Sequence, residues 1–107
     1  MKTIIHDNIT YRLGRNANEN FKLIDEADQE DWWFHLEDHP SGHCIIDSKE
    51  LTELNTQMKI FAGQLVKNNS KLKNINKVKI IFTQVKNIMK TKTIGTVILK
   101  SSNYFRI

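Results

Sequence analysis

An α+β fold, a mostly antiparallel β-sheet with one long helix packed on one face, is what this sequence predicts. Three observations point there. Short alternating apolar runs bounded by turn residues lie toward both ends of the chain, one long stretch near the middle carries apolar residues at helical spacing, and the single proline and four glycines read as punctuation inside one fold. A chain of 107 residues has material for one hydrophobic core, so residues 1–107 are read as one domain.

The elements follow in order. Ile9 to Leu13 alternates and stops at Gly14, and Phe21 to Ile24 reads as another short strand before an acidic loop from Asp25 to Asp31. Trp32-Trp33-Phe34-His35-Leu36 is aromatic-rich and short, which suits a strand packed on at least one face. The cluster His39-Pro40-Ser41-Gly42 breaks the chain, and His43 to Ile46 begins a further strand. Asp47-Ser48-Lys49-Glu50 resembles a capping box and announces the helix. Leu51, Leu54, Met58, Phe61, Ala62 and Leu65 follow at spacings of 3 and 4 as its core stripe, and the helix is expected to end within Lys67-Asn68-Asn69-Ser70. Lys77 to Thr83 alternates with Val78, Ile80 and Phe82 on one face; Thr96 to Lys100 and Tyr104 to Ile107 are expected to pair as a closing hairpin.

Composition narrows the class. Hydrophobic residues at 39% and charged residues at 26% exclude a disordered chain. No apolar run is long enough for a membrane span, and the N-terminus lacks the apolar stretch of a signal peptide, so a soluble cytoplasmic protein is expected, without membrane contact. Cys44 is the lone cysteine, which rules out an internal disulfide and fits a reducing compartment. The triplets Asn8-Ile9-Thr10 and Asn68-Asn69-Ser70 are then chance matches to a glycosylation signal.

The net charge of +4 hides an asymmetry. Residues 1–57 hold 5 Lys and Arg against all 12 acidic residues, a balance of −7, whereas residues 58–107 hold 11 Lys and Arg and no acid. Such a block attracts phosphates or an acidic partner, although a charge run by itself is more often a solvated face.

Candidate chemistry is sparse. His35, His39 and His43 recur every four residues beside Cys44, but Pro40 and Gly42 oppose the helix that would align them, and no zinc-binding motif is present; no metal or other cofactor is expected. A His43–Cys44 nucleophile pair fails because neighbours on a strand point to opposite faces, and the carboxylates of the acidic loop have no apolar residues among them to raise a pKa. No enzyme is expected. What remains is a donor-rich set: Arg15 and Asn16 after Gly14, then Asn20, His35, Ser41 and His43, and the cations Lys86, Lys90 and Lys92. These side chains suit phosphate and ribose oxygens. Trp32, Trp33 and Phe34 could stack bases, but a strand buries at least one face, so each is read first as core, with Trp32 or Trp33 the one left partly exposed.

The stretch Gly14-Arg15-Asn16-Ala17-Asn18-Glu19-Asn20, then Asp31-Trp32-Trp33-Phe34-His35, then Pro40-Ser41-Gly42-His43-Cys44-Ile45-Ile46, resembles the NFACT-R family. Phe82-Thr83-Gln84-Val85-Lys86 and Gly95-Thr96-Val97 are similar to that family's closing segment, so the likeness runs in order along nearly the whole chain. It implies a non-catalytic RNA-binding domain contacting tRNA or rRNA, in longer relatives within ribosome quality control. Those relatives also carry an N-terminal domain, a helix-hairpin-helix module and a coiled coil, which this sequence lacks, so only the nucleic-acid role of the module carries over. Departures are the short connection between Asn20 and Phe21, Ser-Gly-His where Gly-Ser-His is frequent, and Ile94 where proline often precedes the glycine. The alternatives are a DNA-binding module, as in one eukaryotic branch linked to DNA sensing, or a protein-interaction module docking an acidic partner on the basic half.

Overall fold

The computed structural model describes residues 1–49 and 53–107. Eight strands and two helices are present among them. Strands β1 (Lys2–His6), β2 (Ile9–Leu13), β3 (Trp32–Leu36), β4 (Cys44–Ile46), β5 (Lys79–Gln84) and β8 (Asn103–Arg106) form one antiparallel sheet in the order β1-β2-β4-β3-β5-β8. Strands β6 (Ile88–Lys90) and β7 (Val97–Leu99) form a separate hairpin. Asp7 and Asn8, both at positive φ, make the tight turn between β1 and β2, as the small polar residues of a two-residue hairpin loop do.

Two layers of packing cover the sheet. Helix α2 (Thr56–Asn68) lays Met58, Ala62 and Val66 on the face formed by Tyr11, Leu13, Phe34, Cys44 and Ile46. The alternate residues Trp33 and Ile45 point the other way, where Leu23 and Ile24 of helix α1 (Ala17–Glu26) and the inner side of the β6–β7 hairpin cover them. Trp33 is therefore fully buried, and Trp32, on the α2 face, is the tryptophan left partly exposed.

The expectation of one long helix is overturned, because residues 17–26, within which a strand was read at Phe21 to Ile24, form α1. Asn16 caps it by accepting from the Glu19 amide (2.9 Å), and the Glu19 carboxylate accepts in return from the Arg15 amide (3.0 Å). The first bond satisfies a helix-start donor that would otherwise be unpaired, the second fixes the turn leading into the cap, and together they let a segment with few apolar residues nucleate as a helix.

The central helix also begins later than expected. Asn55 is its cap, accepting from the Met58 amide (2.9 Å), while the Asp47 carboxylate accepts instead from Arg12 (3.1 Å). Glu50 and Leu51, read as parts of that helix, lie outside the described residues. The closing hairpin is corrected as well: β7 pairs with β6, and β8 pairs with β5, so Thr96 to Lys100 and Tyr104 to Ile107 do not pair with each other.

Asp31 ties the layers together at the base of β3. Only 3% exposed, its carboxylate accepts from the Asp28 amide (2.9 Å) and from both the amide and hydroxyl of Ser48 (2.8 Å each), and its carbonyl accepts from Val85 (2.9 Å). The acidic stretch is thus in part a buried joint and not wholly a solvated loop.

Candidate nucleic-acid interface

A cleft of about 920 Å³ opens on the α1 side of the sheet. Its walls come from the β2–α1 turn, the ends of β3 and β4, the segment after α2, and the β6–β7 loop. Arg15, Asn16, Asn20, His35, Ser41 and His43, which lie in three separate stretches of sequence, all line it.

Two glycines allow those turns to meet. A Cβ on Gly42 would stand 2.1 Å from the carbonyl oxygen of Gly14, and a Cβ on Gly14 would stand 2.3 Å from Asn20 Oδ1. The contact is closed by hydrogen bonds: the Gly14 amide donates to the His43 carbonyl (2.9 Å), and the His43 amide donates to Asn20 Oδ1 (2.9 Å). Asn20 is buried, and its amide nitrogen reaches the Ser41 carbonyl at 3.5 Å. The Ser41 hydroxyl accepts from the Leu36 amide (3.3 Å) and donates to the Gly42 carbonyl (3.0 Å). Asn20 and Ser41 therefore build the cleft, and their capacity for a ligand is largely used within it.

The floor is aromatic and uncharged. His43 lies edge-on to Trp33 and to His35, with ring centroids 5.1 and 4.7 Å apart. Burial lowers the pKa of His35 to about 4; burial, and then the charge of His35, lowers that of His43 to about 3, so both are neutral at pH 7. Cys44, next in sequence, faces the α2 core, and burial pushes its thiol up. His39 is exposed at the rim, and no three metal-ligating side chains converge among the described residues.

The cations divide. Arg15 stands at the mouth, where Glu19 accepts from it (3.2 Å); that bond, followed by one to the N-terminal amine, lowers the Glu19 pKa to about 2. Lys86, Lys90 and Lys92 do not line the cleft. Lys86 pairs with Glu30 (3.2 Å), Lys90 pairs with Asp25 and lies over the Phe21 ring, and Lys92 is exposed in the β6–β7 loop. Part of the acidic stretch thus folds against part of the basic half and reduces its field. Lys71, exposed just beyond α2, does line the cleft. Its place among Lys71, Lys73 and Lys77 carries no periodicity that would have marked it from sequence.

The comparisons with known proteins agree with one another. The zebrafish (Danio rerio) coiled-coil domain-containing protein 25 is 35% identical over 89 residues, a match covering 77% of this chain and 42% of that protein. The C-terminal structure of the fibronectin/fibrinogen-binding protein from Streptococcus suis superposes with a TM-score of 0.86 at 23% identity, covering 98% of this chain and 43% of that one, which speaks for the fold. The chain thus spans less than half the length of either relative. The NFACT protein RNA binding domain model matches residues 3–105, and the chain belongs to that family of non-catalytic RNA-binding modules.

Proposed function

We propose that the cleft is the face through which this domain contacts RNA, that the RNA is tRNA or rRNA, and that the setting is cytoplasmic translation or ribosome quality control. One observation supports this reading above the others: donor-bearing residues from three distant stretches surround a single cleft with Arg15 and Lys71 at its mouth. Lys71, exposed at the rim, suits phosphate, and so does Arg15 once phosphate displaces the Glu19 carboxylate from its guanidinium. His35, partly buried and uncharged, suits ribose or base. No helix among the described residues is long and apolar enough to cross a membrane.

The experiment is a fluorescence-anisotropy titration of labelled tRNA and rRNA fragments across a salt series. Binding that weakens linearly in log salt, and is reduced in an Arg15→Ala/Lys71→Ala variant, is the expected result, because counterion release scales with the phosphates contacted. No binding at low salt, or full affinity in the double variant, would refute the assignment of the cleft.

A further inference from the structure

Trp33 and His43 are each 1% exposed on the cleft floor, and Trp33 Nε1 and His43 Nδ1 have no hydrogen-bond partner among the described residues. Buried polar atoms are nearly always paired, because leaving one unpaired forfeits the hydrogen bonds it made with water. Here two unpaired nitrogens sit in neighbouring rings of one cluster. Around them the cleft is apolar, with Leu72, Ile81, Val97 and Leu99 in its walls.

These features narrow the occupant. The indole N–H is only a donor, so the group meeting it must accept, while the imidazole nitrogen takes either role with its tautomer. Among the described residues no cation stands on the floor to neutralise a phosphate; the charges are at the mouth. The fitting chemistry is a flat, uncharged heteroaromatic bearing ring acceptors, carried on a tether whose phosphate stays at the rim. We propose that the floor is a nucleobase pocket that takes one unstacked base of a single-stranded RNA segment, with Trp33 Nε1 and His43 Nδ1 reading its edge and Arg15 and Lys71 holding the flanking phosphates. This deepens the RNA-binding reading of the cleft and rests on it.

Both nitrogens are shielded from bulk water. His35, mostly buried but the least covered of the three rings, lies against both, with centroids 5.5 Å from Trp33 and 4.7 Å from His43, so it is the side chain whose rotation admits the base and offers a stacking face. A base inside a duplex has its edge occupied and its faces stacked, so the pocket selects unpaired RNA.

The test uses the whole domain and four probes: oligouridylate, its duplex with oligoadenylate, uridine 5′-monophosphate, and ribose 5-phosphate. The single strand is expected to bind about tenfold more tightly than the duplex at equal salt, a step of one hydrogen bond or one stacked base. In ¹⁵N-labelled protein the Trp33 indole signal should move with the nucleotide and stay still with ribose 5-phosphate. Trp33→Phe should abolish the single-strand preference while leaving the salt dependence unchanged; should that variant not fold, the wild-type comparisons decide alone. Equal binding of duplex and single strand with an unmoved indole signal overturns the pocket and leaves the RNA-binding reading intact. Failure of every RNA to bind overturns both.

Discussion

Replacing Gly42 with alanine is the sharpest perturbation the structure offers. The added methyl would lie 2.1 Å from the Gly14 oxygen and 3.3 Å from the Gly14 carbonyl carbon, both backbone atoms that cannot swing aside. Restoring van der Waals contact requires the β2–α1 turn and the β3–β4 turn to part by roughly 1 Å. That separation carries the Gly14–His43 and His43–Asn20 hydrogen bonds, both now 2.9 Å, beyond hydrogen-bonding range. Two broken buried bonds at about 1–2 kcal/mol each, with about 1 kcal/mol of residual strain, give a loss of about 3–5 kcal/mol. Against a typical domain stability of about 5–15 kcal/mol, this is a large fraction. Urea unfolding followed by tryptophan fluorescence measures it directly, with Ser41→Ala as a neighbouring control expected to lose only about 1 kcal/mol. A Gly42→Ala domain within about 1 kcal/mol of wild type would refute the close approach of the two turns.

Asp31→Ala removes three side-chain hydrogen bonds at a buried joint and should cost about 3 kcal/mol in the same assay; a loss below about 1 kcal/mol would show the joint to be dispensable. The histidines predict acid sensitivity. Their folded pKa values, about 4 and about 3, lie below the unfolded value, so the unfolded chain takes up protons that the folded one refuses. Stability is then complete above pH 6.5 and is lost as pH falls from there toward about 4 and about 3, with a slope no steeper than about 3 kcal/mol per pH unit. A His35→Phe/His43→Phe domain should show a visibly flatter dependence, and an unchanged slope would exclude the pair as its source. Lys71→Ala should lower the slope of log affinity against log salt for single-stranded RNA by about 0.7, one phosphate's worth. Lys86→Ala should change it little, since Glu30 already neutralises that ammonium; the reverse ranking would place the RNA beside Glu30 and not in the cleft.

How much of this was legible depends on how local each signal was. The strand at Ile9–Leu13 shows in the alternation of its own residues, that at Trp32–Leu36 in its short aromatic run, and the helical stripe of Met58, Ala62 and Leu65 at its own spacing. Helix α1 escapes a reading by apolar spacing because its apolar residues are few and lie among acids. Its start was nevertheless written in Asn16 and Glu19, an Asn-x-x-Glu cap of the kind read instead at Asp47 and Glu50. The partner of β7 and the pairing of Lys86 with Glu30 and Lys90 with Asp25 join residues far apart in sequence, which no local pattern encodes. For the site, Arg15, Asn16, Asn20, His35, Ser41 and His43 were picked for their donors and do converge, but Asn20 and Ser41 spend theirs on the turns. That division of labour emerges only once the two glycines have brought the turns together.

The cleft is lined by residues as far apart as Arg15 and Leu99, and the β6–β7 loop reaches α1 through Gly95, whose added Cβ would stand 2.7 Å from Ala17 Cβ. A short hairpin attached in this way is a natural place for the fold to open before the central sheet does. RNA spanning the cleft would therefore act as a temporary suture between the last third of the chain and its first helix. Amide exchange in Ile88–Leu99 should slow as RNA concentration rises, by the factor that mass action assigns to a ligand bound only by the closed form.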